Sequence, residues 1–227
     1  MMLDNNNQQL IAAPYGDILT ASGHKALLNN ILFDNCSKRK DVLDALTRQA
    51  NSKLTMPYTK LRVPGIIQAV DYDMGREGIA YHDLRSERLQ IDEPRDWNAS
   101  KTRGGYYRND GVDIETNSDE HPANGYNVGF MDAGEWMKYT VWVNKSGIYQ
   151  VKARISGSKD FAIGKLSVEV DNHTVASFNN VASDKWISSG TIAPYKPFYM
   201  SKGAHQMMIK VEAKGCRLNW LEFISED

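Results

Sequence analysis

The sequence predicts an all-β domain over residues 61–227, preceded by a helical segment over residues 1–60. Two observations predict the β domain. Apolar and polar residues alternate over residues 149–155, 166–170 and 207–213, as in strands with one buried and one solvated face. Glycine-containing turn signals separate such runs. Many short strands joined by turns favour a β-sandwich or a β-barrel.

The apolar residues of the first segment recur at helical rather than strand spacing. Leu28 and Leu32 share one face of a helix predicted within residues 22–35, and a second helix is predicted over residues 41–50. Two short helices bury too little apolar surface to form a core of their own. We interpret residues 1–60 as a linker or as the remnant of a neighbouring domain.

Two prolines, Pro57 and Pro64, mark the boundary between the two regions. Residues 84–104 are charged and non-periodic, which predicts a long surface loop. The remaining strands are predicted, in chain order, over residues 66–72, 78–82, 112–115, 126–130, 135–143 and 216–224.

Composition narrows the classes of function. Of the 227 residues, 41% are hydrophobic, enough for a sizeable core, and the net charge is −1. A chain without excess positive charge has no overall field that attracts nucleic acid or an acidic membrane, and we expect neither as a partner. No run of about 18 apolar residues predicts a membrane span. The two cysteines are interpreted as ordinary thiols.

One stretch carries a family resemblance. Residues 125–139 read GYNVGFMDAGEWMKY, which resembles the signature of carbohydrate-binding module family 6. Further blocks keep the order of that family on both sides of the signature. These blocks are residues 63–73, 78–83, 106–115, 147–151, 184–188 and 218–223.

The resemblance implies a fold, a function and a location. The fold is a jelly-roll sandwich of two antiparallel sheets, and the function is non-catalytic binding of a polysaccharide. Modules of this family usually belong to exported glycoside hydrolases, so a secreted, periplasmic or cell-surface location is expected. The first nine residues lack the basic and apolar regions of a signal peptide. We therefore expect the chain to be a piece of a longer one.

The resemblance also assigns a sugar site at the loop end of the sandwich. A sugar needs flat aromatic rings against its C–H faces and polar groups for its hydroxyls. The two aromatic positions fall on Phe130 and Trp186, and the acidic position falls on Glu115. A place in the core for Phe130, and a solvated loop carboxylate for Glu115, are the alternatives.

The chain departs from the family at the position of its sugar-binding asparagine, which is Arg217 here. Arginine donates several hydrogen bonds but accepts none, and it prefers carboxylate or sulfate groups. Three outcomes stay open: an acidic ligand, a differently oriented ligand, or loss of the usual sugar. Asp119 and its neighbours in the loop after Glu115 are expected to shape one wall of the cleft.

A second sugar site occurs on the concave sheet face of some family members. Trp142 is the candidate here, because it alternates with Val141 and Val143 and is predicted to point away from them. Burial of Trp142 against another layer is the alternative.

The resemblance implies a structural calcium ion where the first and last strands meet. Calcium takes six to eight oxygen ligands. The two usual positions in the first strand are Gln68 and Val70, and Asn219 from the last strand is a further candidate ligand. Val70 has no side-chain oxygen, so the predicted calcium site is weakened.

Three functions stay open. The first is non-catalytic capture of xylan, β-1,3-glucan, agarose, cellulose or a charged polysaccharide, which would target an attached glycoside hydrolase. The second is the C-terminal part of a glycoside hydrolase whose catalysis lies upstream. The third is a protein-interaction sandwich with a degenerate sugar site.

His82–Asp83 suggests catalysis, but no serine or cysteine in a recognisable nucleophile motif accompanies it.

Overall fold

The structure is a computed structural model, and it describes residues 21–35, 40–49, 51–84, 107–108, 110–119, 122–157, 164–179, 190–192 and 196–226. The chain divides after Lys40 into two compact units, which are described separately. The first unit contains helix α1 (Ala21–Asn30) and a 3₁₀ turn, η1 (Phe33–Asn35). Helix α2 (Lys40–Thr47) begins at the division. The expected domain boundary near residue 60 stays a prediction.

The helical segment predicted before the β domain is confirmed by α1 and α2. Its exposed leucines, such as Leu28 and Leu32, lie on α1 and on the turn that follows it. Within the ranges given above, no helix is both long and apolar enough to cross a membrane.

Two β-sheets make up most of the second unit. Among the described residues, the strands of the first sheet are β1 (Leu61–Val63), β3 (Tyr81–His82), β6 (Trp136–Val143), β8 (Lys165–Val170), β9 (His173–Asn179) and β12 (Gly203–Ala213). The strands of the second sheet are β2 (Gly65–Gln68), β4 (Ile114–Thr116), β5 (Tyr126–Val128), β7 (Gly147–Gly157), β10 (Gly190–Ile192), β11 (Phe198–Met200) and β13 (Cys216–Ser225).

Most strand pairs are antiparallel. The first sheet has the order β1-β6-β12-β8-β9, with β3 also beside β6. The second has the order β10-β7-β13-β5-β4, with β11 also beside β7 and β2 beside β13. Only β1 and β6 run parallel among the described pairs. Two antiparallel-rich sheets around one core confirm the predicted β-sandwich.

Alternation along the strands builds that core. On β6, Met137, Tyr139, Val141 and Val143 are buried, while the residues between them are half-exposed. β7 repeats the pattern, and the buried side chains of both sheets form one hydrophobic cluster. Burial of each such aliphatic side chain is worth roughly 1.5–3 kcal/mol, so this interlayer contact is the main stabilising term.

The chain changes sheet near its first strands. β1 and β2 are separated by Pro64 alone, yet they belong to different sheets. β2 then pairs with the last strand, β13, with Gly65 opposite Phe223 and Gln68 opposite Trp220. The first and last strands of the second sheet are therefore neighbours.

Several strand predictions are too long. Residues 126–130 form a strand only as far as Val128, and residues 112–113 precede β4. The strand expected over residues 66–72 ends at Gln68 and continues as a 3₁₀ helix, η2 (Ala69–Asp71). There the carbonyl of Ala69 accepts a hydrogen bond from Tyr139 Oη at 2.7 Å instead of a ladder partner. The strand expected over residues 78–82 is likewise reduced to β3, because the backbone N–H of Ala80 donates to the Arg76 carbonyl in a turn.

A buried arginine holds this irregular segment in place. Arg108 is 1% exposed, and its guanidinium lies over the Tyr72 ring at 3.7 Å. It donates to the Tyr72 carbonyl and forms an ion pair with Asp110 at 2.9 Å. Sequence reasoning missed this role, because a charged residue in a core is rare unless it is paired.

Candidate functional site

Glu115 and Arg217 form an ion pair at one end of the second sheet. β4 places Glu115 opposite Asn127 on β5, and β13 places Leu218, next to Arg217, opposite Val128 on β5. The Nε atom of Arg217 lies 3.0 Å from Glu115 Oε2, and its Nη2 donates to Oε1 at 3.2 Å. The Arg217 side chain is 15% exposed and the Glu115 side chain 20%, so the pair is partly buried but still reachable by solvent.

Partial burial affects the guanidinium of this pair. Desolvation lowers the pKa of Arg217 to about 10, against the opposing effect of the neighbouring Glu115 charge. Arg217 therefore stays positively charged at neutral pH, and Glu115 compensates that charge within the protein.

Gly129 allows Glu115 to lie where it does. A Cβ atom on Gly129 would be 2.0 Å from Glu115 Oε2, far inside van der Waals contact. Asn127 Nδ2 also donates to Glu115 Oε2 at 3.3 Å. The carboxylate is thus positioned from three sides, by Arg217, Asn127 and the bare backbone of Gly129.

Phe130 directly follows Gly129 in the chain, and its side chain is partly exposed. It is 38% exposed, so the alternative of a core position is not what the structure shows. Its backbone φ is +48°, a left-handed conformation that is uncommon for a bulky residue. Residues held in such conformations cost about 1–3 kcal/mol and cluster at functional sites. The structure therefore places an exposed Phe130 one residue after Gly129, which borders the carboxylate of the Glu115–Arg217 pair.

The loop after β4 is anchored by a second ion pair. Asp119, whose side chain is 6% exposed, accepts from Arg154 Nε at 2.8 Å and from Arg154 Nη2 at 2.6 Å. It also accepts from Asn219 Nδ2 at 2.8 Å. This carboxylate faces protein rather than a ligand, so Asp119 fixes the loop beside the site. Glu120 and His121, its neighbours in the expected cleft wall, lie outside the described residues.

The other predicted aromatic residues have different outcomes. Trp186 lies outside the described residues, so its binding role stays a prediction. Trp142 is half-exposed on the outer face of β6, in register with Arg62 and Ala204. The alternative of burial against another layer is therefore not what the structure shows. A role for Trp142 in a second site also stays a prediction.

Sequence reasoning missed a pocket on the same outer face of β6. Trp136, six residues before Trp142, lines an open cavity of about 470 Å³ together with Lys138, Met208 and Lys210. The Lys138 Nζ lies 5.1 Å from the Trp136 ring centroid. The available signal was strand parity, because Trp136 and Trp142 must point to the same side of β6.

The expected calcium ligands meet where β2 pairs with β13. Gln68 Oε1 and Asn219 Oδ1 are buried without hydrogen-bond partners, and a bound cation would satisfy such oxygens. Both are neutral amide oxygens, however, and both oxygens of the nearby Asp119 already contact Arg154. Calcium takes six to eight oxygen ligands, commonly with carboxylates among them, and here no carboxylate oxygen is left for it in this set. This donor set therefore fits a calcium ion poorly, and water molecules can satisfy the same amide oxygens.

A Ser–His–Asp arrangement also lies on the surface. His205 Nδ1 is 2.6 Å from Asp171 Oδ2, and His205 Nε2 is 3.3 Å from Ser201 Oγ. The same Nε2 lies closer, at 2.8 Å, to the backbone carbonyl of Ser201. A ring nitrogen that donates to a carbonyl cannot accept the hydroxyl proton, which a nucleophilic serine requires. This cluster connects two turns.

His82 and Asp83, which suggested catalysis in the sequence, are not arranged as a catalytic pair either. His82 Nδ1 lies 2.5 Å from Glu77 Oε1, and Asp83 is 6% exposed. The carboxylate that contacts His82 is therefore Glu77, just before β3, and not Asp83. The His82–Glu77 pair is a structural contact at the surface.

The family described as carbohydrate binding module (family 6) matches residues 105–225. No curated protein sequence matches the chain.

Several solved structures are similar to the chain. The C-terminal family 6 module of a marine laminarinase from Zobellia galactanivorans is 18% identical, with 71% of this chain and 98% of that chain covered and a TM-score of 0.48. A family 6 module of a Cellvibrio mixtus lichenase, solved with cellotriose, is 24% identical, with coverages of 73% and 99% and a TM-score of 0.49. A β-1,3-glucan-binding family 6 module from Bacillus halodurans is 15% identical, with coverages of 74% and 100% and a TM-score of 0.48.

Proposed function

The chain belongs to carbohydrate-binding module family 6, since the family match spans more than half of it, and from this membership we propose that it captures a polysaccharide chain at the end of the sandwich that holds Phe130. The observation that carries the proposal is the exposed Phe130 side chain, one residue after the Gly129 that borders the Glu115–Arg217 pair. Family 6 is a family of non-catalytic binding modules, so binding rather than bond cleavage is the proposed role.

Each residue has a role in this proposal. The Phe130 ring covers an apolar C–H face of a sugar, because a flat aromatic surface matches that face. Trp186 is proposed as the second ring. Glu115 accepts hydrogen bonds from sugar hydroxyls and Arg217 donates to them. Phenylalanine, unlike tyrosine or tryptophan, adds no polar handle of its own, so these two charged residues supply the orientation.

We expect the module to bind its glycan weakly and reversibly. Few stacked rings and hydrogen bonds on an open surface correspond to dissociation constants from about millimolar to micromolar, roughly −4 to −8 kcal/mol. A module of this affinity raises the effective concentration of an attached enzyme at the polymer. We propose such an attached glycoside hydrolase, and with it a secreted or cell-surface location, for this chain.

A glycan panel tests the proposal. Isothermal titration calorimetry with laminarihexaose, cellohexaose, xylohexaose and agaro-oligosaccharides is run on the wild type, Phe130→Ala, Trp186→Ala and Trp142→Ala. Binding that is lost in the Phe130 and Trp186 variants and retained in the Trp142 variant supports the loop-end site. Binding lost only in Trp142→Ala contradicts it and moves the site to the outer face of β6. No binding to any glycan would favour a protein-interaction sandwich.

A further inference from the structure

An unpaired arginine in a sugar site would favour acidic ligands. Arg217 occupies the position of the asparagine that the family uses, and a guanidinium by itself attracts carboxylate and sulfate groups. In the structure, Glu115 already occupies that role, with contacts of 3.0 and 3.2 Å. The local sum of the two charges is therefore zero.

The position of Glu115 is fixed before any ligand arrives. Asn127 donates to it at 3.3 Å, and Gly129 leaves the space that its carboxylate fills. A carboxylate held in the same molecule competes at a high effective concentration with one arriving from solution. Its own negative charge also repels an acidic sugar at close range. The other ion pair of this loop, Asp119 with Arg154, adds no net charge either.

The same arrangement suits a neutral sugar. Arginine alone has no acceptor, whereas the asparagine that it replaces offers both donors and an acceptor. Glu115 returns the missing acceptor capacity, because its oxygens can take hydroxyl protons while Arg217 donates to hydroxyl oxygens. Both side chains keep part of their surface in solvent, so sugar hydroxyls can reach them.

From these three observations we infer that Glu115 is a specificity-determining residue that makes the site select neutral over acidic glycans. The inference rests on the proposed function of the same site. In its absence, Arg217 would turn the site toward uronic acid chains.

The test compares neutral and acidic hexamers. Laminarihexaose, cellohexaose and xylohexaose are titrated by calorimetry alongside an oligogalacturonate hexamer. Glu115→Gln keeps the size of the side chain and removes its charge, and it is expected to raise the affinity for oligogalacturonate about tenfold. Glu115→Gln combined with Arg217→Gln is expected to lose that gain. Glu222→Gln, on the same strand as Arg217 but away from the site, is the matched control and is expected to leave all affinities unchanged.

A second variant tests the geometry without touching a charged residue. Gly129→Ala must displace the Glu115 carboxylate, because the new Cβ would overlap it. It is expected to shift the preference toward oligogalacturonate in the same direction as Glu115→Gln. Circular dichroism and thermal melting confirm that both variants are folded.

The outcomes separate the two proposals. Wild-type affinity for oligogalacturonate equal to or above that for every neutral hexamer overturns the inference and leaves glycan binding intact. An unchanged oligogalacturonate affinity in Glu115→Gln also overturns it. Absence of binding to every hexamer in every variant overturns the proposed function together with the inference.

Discussion

Arg154 binds both carboxylate oxygens of Asp119, with Nε 2.8 Å from Oδ2 and Nη2 2.6 Å from Oδ1. The pair connects the loop after β4 to β7, and Asn219 on β13 adds a third contact. A bidentate arginine–carboxylate pair is among the stronger charge-assisted hydrogen bonds, and its planar geometry fixes orientation. One cation of the protein thus neutralises the carboxylate that accepts a hydrogen bond from Asn219, an expected calcium ligand.

Arg154→Met is expected to lower the free energy of unfolding by about 1–3 kcal/mol, because it leaves the buried Asp119 carboxylate without its charged partner. Urea denaturation followed by tryptophan fluorescence measures the change. Lys152→Met, on the same face of β7, is the control and is expected to stay within about 0.5 kcal/mol. Equal losses in the two variants would contradict a special role for the pair.

Calcium is expected to change stability little. A ligand that binds only the folded state raises the melting temperature with concentration, and the donor set around Gln68 and Asn219 fits calcium poorly. The melting temperatures in millimolar CaCl₂ and in EDTA should therefore differ by less than about 1 °C. A melting temperature several degrees higher in CaCl₂ than in EDTA would instead support the structural calcium ion that the family resemblance implies.

Arg108→Met is expected to destabilise the sandwich by about 3–5 kcal/mol. The substitution leaves Asp110 and the Tyr72 carbonyl without the guanidinium that they contact. Chemical denaturation measures the loss. Arg62→Met is the matched control, since Arg62 is an exposed arginine bonded to Asn144 at 3.2 Å, and a change below about 0.5 kcal/mol is expected there.

Phe130→Gly is expected to separate binding from stability. Glycine adopts a φ of +48° without the Cβ strain of phenylalanine, which offsets the small loss from an exposed ring. The free energy of unfolding should therefore stay within about 1 kcal/mol of the wild type. The dissociation constant for the glycan identified in the panel should rise at least about tenfold, because the stacking surface is gone. A large loss of stability would instead assign Phe130 to packing.

Glu135 predicts a pH dependence of stability. Burial raises its pKa to about 7, against the hydrogen bonds that it accepts from the backbone N–H groups of Asp132 and Leu84. Because this folded-state pKa lies above the ordinary value of 4.5, the native state holds the proton more tightly than the unfolded chain. The stabilisation is complete below about pH 4.5 and is lost as the pH rises to about 7.

The experiment for Glu135 compares the pH dependence of unfolding in the wild type and in Glu135→Gln. The difference between the two curves is expected to change across the interval from about pH 4.5 to pH 7 and to be flat above it. A difference that is constant across this interval would contradict the raised pKa.

Much of the fold follows from the sequence by physical rules, and residues 69–71 are an instructive exception. The alternation on β6, β7 and β12 predicts strands because one face of each is buried in the core. Residues 69–71 read as strand but form η2, because the side chains of Tyr139 and Arg108 take the carbonyls of this segment. Both contacts join residues far apart in sequence, so no local pattern contains them. The shorter β3 has a local cause instead, the turn from Arg76 to Ala80.

In the candidate site, too, the sequence predicted which residues are involved but not how they contact one another. The resemblance placed Phe130, Glu115 and Arg217 in one site. The structure pairs Glu115 with Arg217 and borders the Glu115 carboxylate with Gly129, the residue before Phe130, while a sugar site there stays a prediction. Sequence reasoning did not foresee that Glu115 and Arg217 neutralise each other, so the charge of Arg217 alone suggested an acidic ligand. That pairing depends on the register of β4, β5 and β13, which a single sequence does not specify.

The pairing of β2 with β13 has a consequence for how the module is displayed. Gly65 lies opposite Phe223, so the chain enters the second sheet and leaves it at one corner. Arg217 lies six residues earlier on β13, roughly 20 Å away along an extended strand. A fusion partner joined after β13 would therefore begin at the opposite end of this strand from the Glu115–Arg217 pair, and its linker would leave that pair uncovered.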